Sequence, residues 1–273
     1  MKYIFVVNSN DAQPKTIFSE YEQEIAKNIL KFVEQIYKIC GISFPNKKII
    51  IQKAPTAPCP RFCMGSKNNF TNDCIIITTE NLSYWCQAMF QISHEMTHAG
   101  IQYNSSSESE SVSWIEETIC EAMSLFFLKK AVYHWEEIKP NWFNESYKNN
   151  VDDYLKNALS ESGTDELSKC KSLKILKRID ENSQDNRATR KNEMHKLLSH
   201  IEGKNIKGLI NYRKYIMRNT ILLNTKKYRR DFCTNEAVTY MCDLQDKIIA
   251  PWKARLYFIV ASLTNLMIRM KTI

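Results

Sequence analysis

Apolar residues along this chain change their spacing several times, and each change marks an element. Residues 2 to 8 (Lys2-Tyr3-Ile4-Phe5-Val6-Val7-Asn8), 47 to 53 (centred on Ile49-Ile50-Ile51) and 73 to 79 (Asp73-Cys74-Ile75-Ile76-Ile77-Thr78-Thr79) are short runs of the branched apolar residues that favour strands. Between the first two, residues 17 to 40 carry an amphipathic helical period. Leu82, Trp85, Cys86, Met89, Ile92, Ser93 and Met96 then recur at helical spacing, behind a Thr78-Thr79-Glu80-Asn81 stretch suited to capping. A polar run from Asn104 to Ser111 reads as a loop, and Trp114 opens a second helix that is apolar on nearly all sides after Thr118. From residue 130 onward the pattern is mostly helical, interrupted by polar stretches at 161 to 165 and 181 to 192 that suit hinges, a lid or plain loops.

The helix after Leu82 carries the chemistry. His94-Glu95-Met96-Thr97-His98 is an HExxH pattern. At about 100° per residue, positions four apart return to one helix face, so two imidazoles can reach one ion with Glu95 beside them as a general base. His94 and His98 fall almost opposite the apolar stripe, on a face shared with Gln87 and Gln91, which argues against histidines satisfied inside a core. A catalytic zinc site needs a third protein ligand and an open position. On the second helix Glu117 and Glu121 share a face among apolar residues, and a buried carboxylate there needs a cation.

Eighteen residues separate His98 from Glu117, and Trp114-Ile115-Glu116-Glu117 resembles the Trp-x-x-Glu element that supplies the third zinc ligand in gluzincins of the aminopeptidase N type. Thermolysin-like enzymes have a similar layout, with an acidic residue one turn after the ligand glutamate that orients a zinc-binding histidine. The resemblance covers about residues 82 to 128. It implies His94, His98 and Glu117 as ligands of one Zn²⁺, Glu95 as the base and Glu121 as the carboxylate that orients an imidazole. It also implies an α+β, zincin-like fold: a small N-terminal sheet packed on the HExxH helix, followed by a mostly helical C-terminal part. The Gly-x-Met-Glu-Asn loop of the aminopeptidase branch is absent from residues 54 to 80, which points away from that exopeptidase activity. Glu116 competes with Glu117 for the third ligand position, and Asn235-Glu236-Ala237 resembles a glutamate-ligand motif of other zincins.

Composition adds boundaries. With 44% hydrophobic residues among 273, the chain can bury a substantial core; residues 1–135 are expected to form the catalytic core and 136–273 a basic helical region that packs on it. The apolar run at the N-terminus is short for a signal peptide, and the most apolar stretch, Leu256 to Ile268, is broken by Ser262, Thr264 and Asn265, so a soluble cytoplasmic protein is expected, with signal-less export left open. Nine cysteines without a CxxC pair read as reduced thiols, Cys59 and Cys63 offering at most a weak CxxxC site. Residues 166 to 230 hold eighteen Lys and Arg against six Asp and Glu. That block fits a solvated face better than a nucleic-acid or anionic-surface site, and it can attract an acidic protein substrate. The expected reaction is zinc-assisted hydrolysis of a peptide or protein substrate by an endopeptidase, the alternatives being a non-catalytic zincin-like binding module or a basic helical nucleic-acid- or partner-binding protein with a fortuitous HExxH. The oxyanion donor is left open among Tyr133, His134, His195, Tyr212, Tyr228 and Tyr240.

Overall fold

Buried isoleucines build the first layer. A computed structural model describes residues 2–7, 18–65, 72–105, 111–139, 143, 146–184, 186–201 and 205–251. Among these, β1 (Lys2–Val7), β2 (Lys48–Lys53), β3 (Arg61–Cys63) and β4 (Asp73–Ile77) form one sheet in the order β1-β2-β4-β3. The first three in that order are parallel, and β3 pairs antiparallel with β4 through Arg61↔Ile76, Phe62↔Ile75 and Cys63↔Cys74. Every residue of β4 is buried, as an interior parallel strand requires, whereas β2 alternates. The molecule is mixed α+β and mostly helical. No helix among the described residues is long and apolar enough to cross a membrane; the stretch from Leu256 to Ile268 lies outside them.

α1 (Glu20–Ile39) starts where Ser19 and Glu22 form a reciprocal capping box. Glu22 also accepts from the buried Lys53 ammonium at 2.6 Å and from the Leu82 backbone at 3.4 Å, so one carboxylate ties the helix start to β2 and to the chain entering the next helix. α2 (Trp85–Asn104) carries the HExxH pattern. It begins later than the apolar period predicts, because Asn81 caps a turn through Ser83 N at 2.8 Å while the Trp85 N–H is taken by Tyr147 Oη at 3.2 Å. Its buried surface is wider than one stripe and includes Ala88, Ser93, Thr97, Ala99 and Ile101, since helices and sheet cover it on several sides. Gln91 registers α2 on the sheet: its Oε1 accepts from Thr78 and Thr79 N at 2.9 and 3.1 Å, and its amide donates to Thr78 Oγ1 at 2.9 Å.

α3 (Ser113–Tyr133) lies along α2 and is buried from Trp114 to Leu128, in agreement with its all-round apolar sequence. α4 (Trp135–Ile138), α5 (Tyr147–Ser160), α6 (Leu173–Glu181), α7 (Lys191–His200), α8 (Ile206–Ile210), α9 (Thr225–Asp231) and a helix over 236–251 complete the described residues. One continuous buried cluster runs from Ile25 and Ile75 through Phe127 to Leu197 and Met241, so the C-terminal helices share the core of the N-terminal part. Trp114 shows the coupling: its backbone N–H donates to Asp180 Oδ1 at 2.9 Å and its indole to Ile221 O at 3.3 Å.

Candidate metal centre

The two histidines of α2 face a cleft of about 480 Å³ bounded by β3, α2, α3 and the turn before α7. Their Nε2 atoms stand 3.2 Å apart. Glu117, from α3, brings Oε2 to 3.3 Å from His94 Nε2 and Oε1 to 3.5 Å from His98 Nε2. Each imidazole thus has a different oxygen of the one carboxylate beside it, and imidazole nitrogen and carboxylate oxygen are donor types that zinc takes. In this structure the three sequence-predicted ligands, His94, His98 and Glu117, are brought together. Cys120, one turn beyond Glu117, also belongs here: its thiol lies within 4.8 Å of both histidine ligand atoms, and with them it forms a possible metal-binding group. Burial pushes that thiol up to about 12 against the pull of His98. Cys120 reads from sequence only as a small buried residue; its position three residues after Glu117 is the signal that places it on the same face.

The ionisable groups here shift one another. Burial alone raises the Glu117 carboxyl, but the His94 hydrogen bond and the charges of His98, His94 and Arg190 outweigh it and hold it down to about 2. His98 is pushed up despite its burial, by Cys120, Glu116 and Glu117. Glu95 is buried beside the pair; desolvation raises its carboxyl, while the histidines and a hydrogen bond from the Phe62 backbone oppose the rise. The edge strand thus supplies a donor to the residue expected to act as base. His94 Nδ1 is buried and has no hydrogen-bond partner among the described residues.

The carboxylate hydrogen-bonded to the His98 ring is Glu116, where Glu121 was the one expected beside an imidazole. Glu116 Oε1 lies 2.8 Å from His98 Nδ1. Glu116 is itself gripped by Arg213, whose Nε and Nη2 reach its two oxygens at 2.8 Å each, by Ser111 Oγ at 3.1 Å and by the Tyr212 hydroxyl. Desolvation would raise this carboxyl, yet His98, Arg213 and Tyr212 hold it down to about 2. Glu121 instead accepts from Arg187 Nε at 2.8 Å and Arg190 Nη2 at 3.0 Å. The physical reason is position on α3: Glu116 precedes Glu117 and points across to α2, whereas Glu121, a turn further on, meets the chain returning before α7.

Other candidates lie elsewhere. Glu236 is exposed and sits 3.7 Å from His200 Nδ1. Tyr133 and His134 are exposed, Tyr212 is committed to Glu116, Tyr228 donates to Gly208 O and Tyr240 to Glu193. None of the six residues expected to supply an oxyanion donor lines the cleft, whose flexible cations are Arg61 and Arg187. The polar interruption at 181 to 192 delivers Arg187 and Arg190 to the site. Part of the basic block is therefore consumed by buried carboxylates. Arg61–Cys63 forms the sheet edge beside the cleft. Cys59 is exposed, and Cys63 stands opposite Cys74 across the strand pair. Comparison with protein-family models, curated proteins and solved structures finds no match for this chain.

Proposed function

We propose that the chain is a zinc-dependent metallopeptidase of the gluzincin type, with His94, His98 and Glu117 as ligands and Glu95 as general base. The observation that carries this reading is the convergence of two histidines and Glu117 from two helices, with closest approaches of 3.2, 3.3 and 3.5 Å, and a second carboxylate, Glu95, buried at their side. Charge balance supports it. Of the four buried carboxylates at the site, Glu116 has Arg213 and Glu121 has Arg190, whereas no Lys or Arg forms an ion pair with Glu95 or Glu117 among the described residues. Their positive neighbours are the two histidines, and a divalent cation beside both carboxylates would offset the cost of their burial.

A zinc ion held there would polarise the scissile carbonyl and bring the pKa of a coordinated water toward neutrality. Glu95 takes a proton from the attacking water and returns it to the leaving amine nitrogen, so that amide and water give acid and amine. Glu116, held by Arg213, fixes the orientation of the His98 ring. The antiparallel edge strand β3, beside the cleft, suits an extended peptide that pairs by its backbone, as in zincin-like folds.

The test is metal content with peptide cleavage. The purified chain should hold zinc near one per molecule, lose it in His94→Ala, and keep it in Glu95→Gln with cleavage abolished. Glu117→Gln should weaken zinc binding while Cys120→Ser leaves it intact. Cleavage that survives Glu95→Gln would overturn the assignment of the base.

A further inference from the structure

The cleft wall formed by the turn before α7 presents a cation that shares its carboxylate partner with a second guanidinium. Glu121 Oε1 accepts from both Arg187 and Arg190, so one carboxylate faces two guanidinium groups. Arg190 is 0% exposed and needs that carboxylate, because a buried charge stripped of its partner is far costlier than a hydrated one. The Arg187 side chain is 58% exposed. Its guanidinium lies 5.0 Å from the centre of the Phe90 ring, and the same ring stacks on His94 at 6.2 Å. The Nε bond and the ring hold the guanidinium on the metal side of the cleft. Its two terminal nitrogens have no protein acceptor among the described residues, and the residue lines the cleft together with His94 and Glu95. Arg61, on β3, is a second exposed cation in the same cleft. With Glu116 matched by Arg213, and Glu95 with Glu117 matched by a dication, the positive charge of Arg187 and Arg61 is what remains for a ligand.

Resting on the peptidase reading, we propose that Arg187 is a specificity-determining residue that binds a substrate carboxylate, so that the site takes acidic peptides carrying Asp or Glu close to the scissile bond. Two adjacent terminal N–H groups of a guanidinium match the two oxygens of a carboxylate, a geometry that Lys does not reproduce.

Binding and cleavage test this separately. Two short dye-labelled peptides differing only in Glu against Gln are titrated onto the zinc-loaded Glu95→Gln chain, with and without Arg187→Gln or Arg187→Lys, and both are offered to the wild-type protein for cleavage. The Glu peptide should bind about ten- to a hundredfold more tightly than the Gln peptide. Arg187→Gln should remove most of that difference with Gln-peptide binding unchanged, which also reports an intact fold, and Arg187→Lys should restore only part of it. Equal binding of the two peptides, survival of the difference in Arg187→Gln, or equal loss of both peptides in that variant would each overturn the inference. A Glu preference that depends on Arg187 in a chain that cleaves neither peptide would sustain the carboxylate site and overturn the peptidase reading alone.

Discussion

His98 is held at both ends of its ring: Nε2 faces His94 and Glu117, and Nδ1 meets Glu116 at 2.8 Å. Removing the carboxylate behind a metal-binding imidazole typically costs 10–100-fold in metal affinity. Glu116→Gln should therefore weaken zinc binding by about that factor in a competitive chelator titration, while Glu121→Gln should alter it much less. Metal removal should also lower stability. At a thousand times the dissociation constant, a ligand bound only to the native state contributes about 4 kcal/mol, so chelation should lower the melting temperature by roughly 10 °C in calorimetry; a melting curve indifferent to zinc would count against the site. At this scale the sequence was readable where spacing along one helix decides the outcome, as with His94 and His98 on α2. It misled at Glu121, because the choice of imidazole partner depends on Arg190 and Arg213, which arrive 69 and 97 residues downstream of their carboxylates.

Among the elements, the junction of α1, β2 and the entry to α2 rests on Glu22 and Lys53. Desolvation pushes the Glu22 carboxyl up, but the Lys53 hydrogen bond and charge and the Ser19 and Leu82 backbone bonds outweigh it, so its folded pKa lies below the ordinary value. A depressed carboxyl contributes stability that is fully present above its unfolded pKa of about 4.3 and is lost as pH falls through the folded value. Urea unfolding should thus show a loss below about pH 4.3 that Lys53→Met lacks. At neutral pH Lys53→Met should cost up to about 3–5 kcal/mol, because it strips a buried carboxylate of its cationic partner, and adding Glu22→Gln should recover part of that. Strands and long helices were legible from periodicity to within a few residues. The start of α2 was not, since the Tyr147 hydroxyl that takes the Trp85 N–H belongs to α5.

For the molecule as a whole, the Arg213 pair with Glu116 joins the C-terminal helices to the metal helices. Arg213→Met should destabilise the protein by about 3–5 kcal/mol through the unpaired Glu116. A double-mutant cycle with Glu116→Gln should show coupling well above 0.5 kcal/mol; additive losses would mean that the two halves stand independently. The mixed α+β class with a small sheet followed by helices was foreseeable from the order of apolar patterns. The use of the basic block was not, because net charge over residues 166 to 230 does not reveal which guanidiniums turn inward.

The same link sets an order of events during synthesis. At about 5–20 residues per second, the ribosome adds Arg213 some 5–20 s after Glu116, its partner 97 residues earlier. Over that interval the nascent chain carries the three proposed zinc ligands, while Glu116 still awaits its guanidinium. Zinc capture by stalled chains of increasing length should rise sharply once Arg213 has cleared the exit tunnel, making the last third of the chain the timer for a centre encoded in its first half.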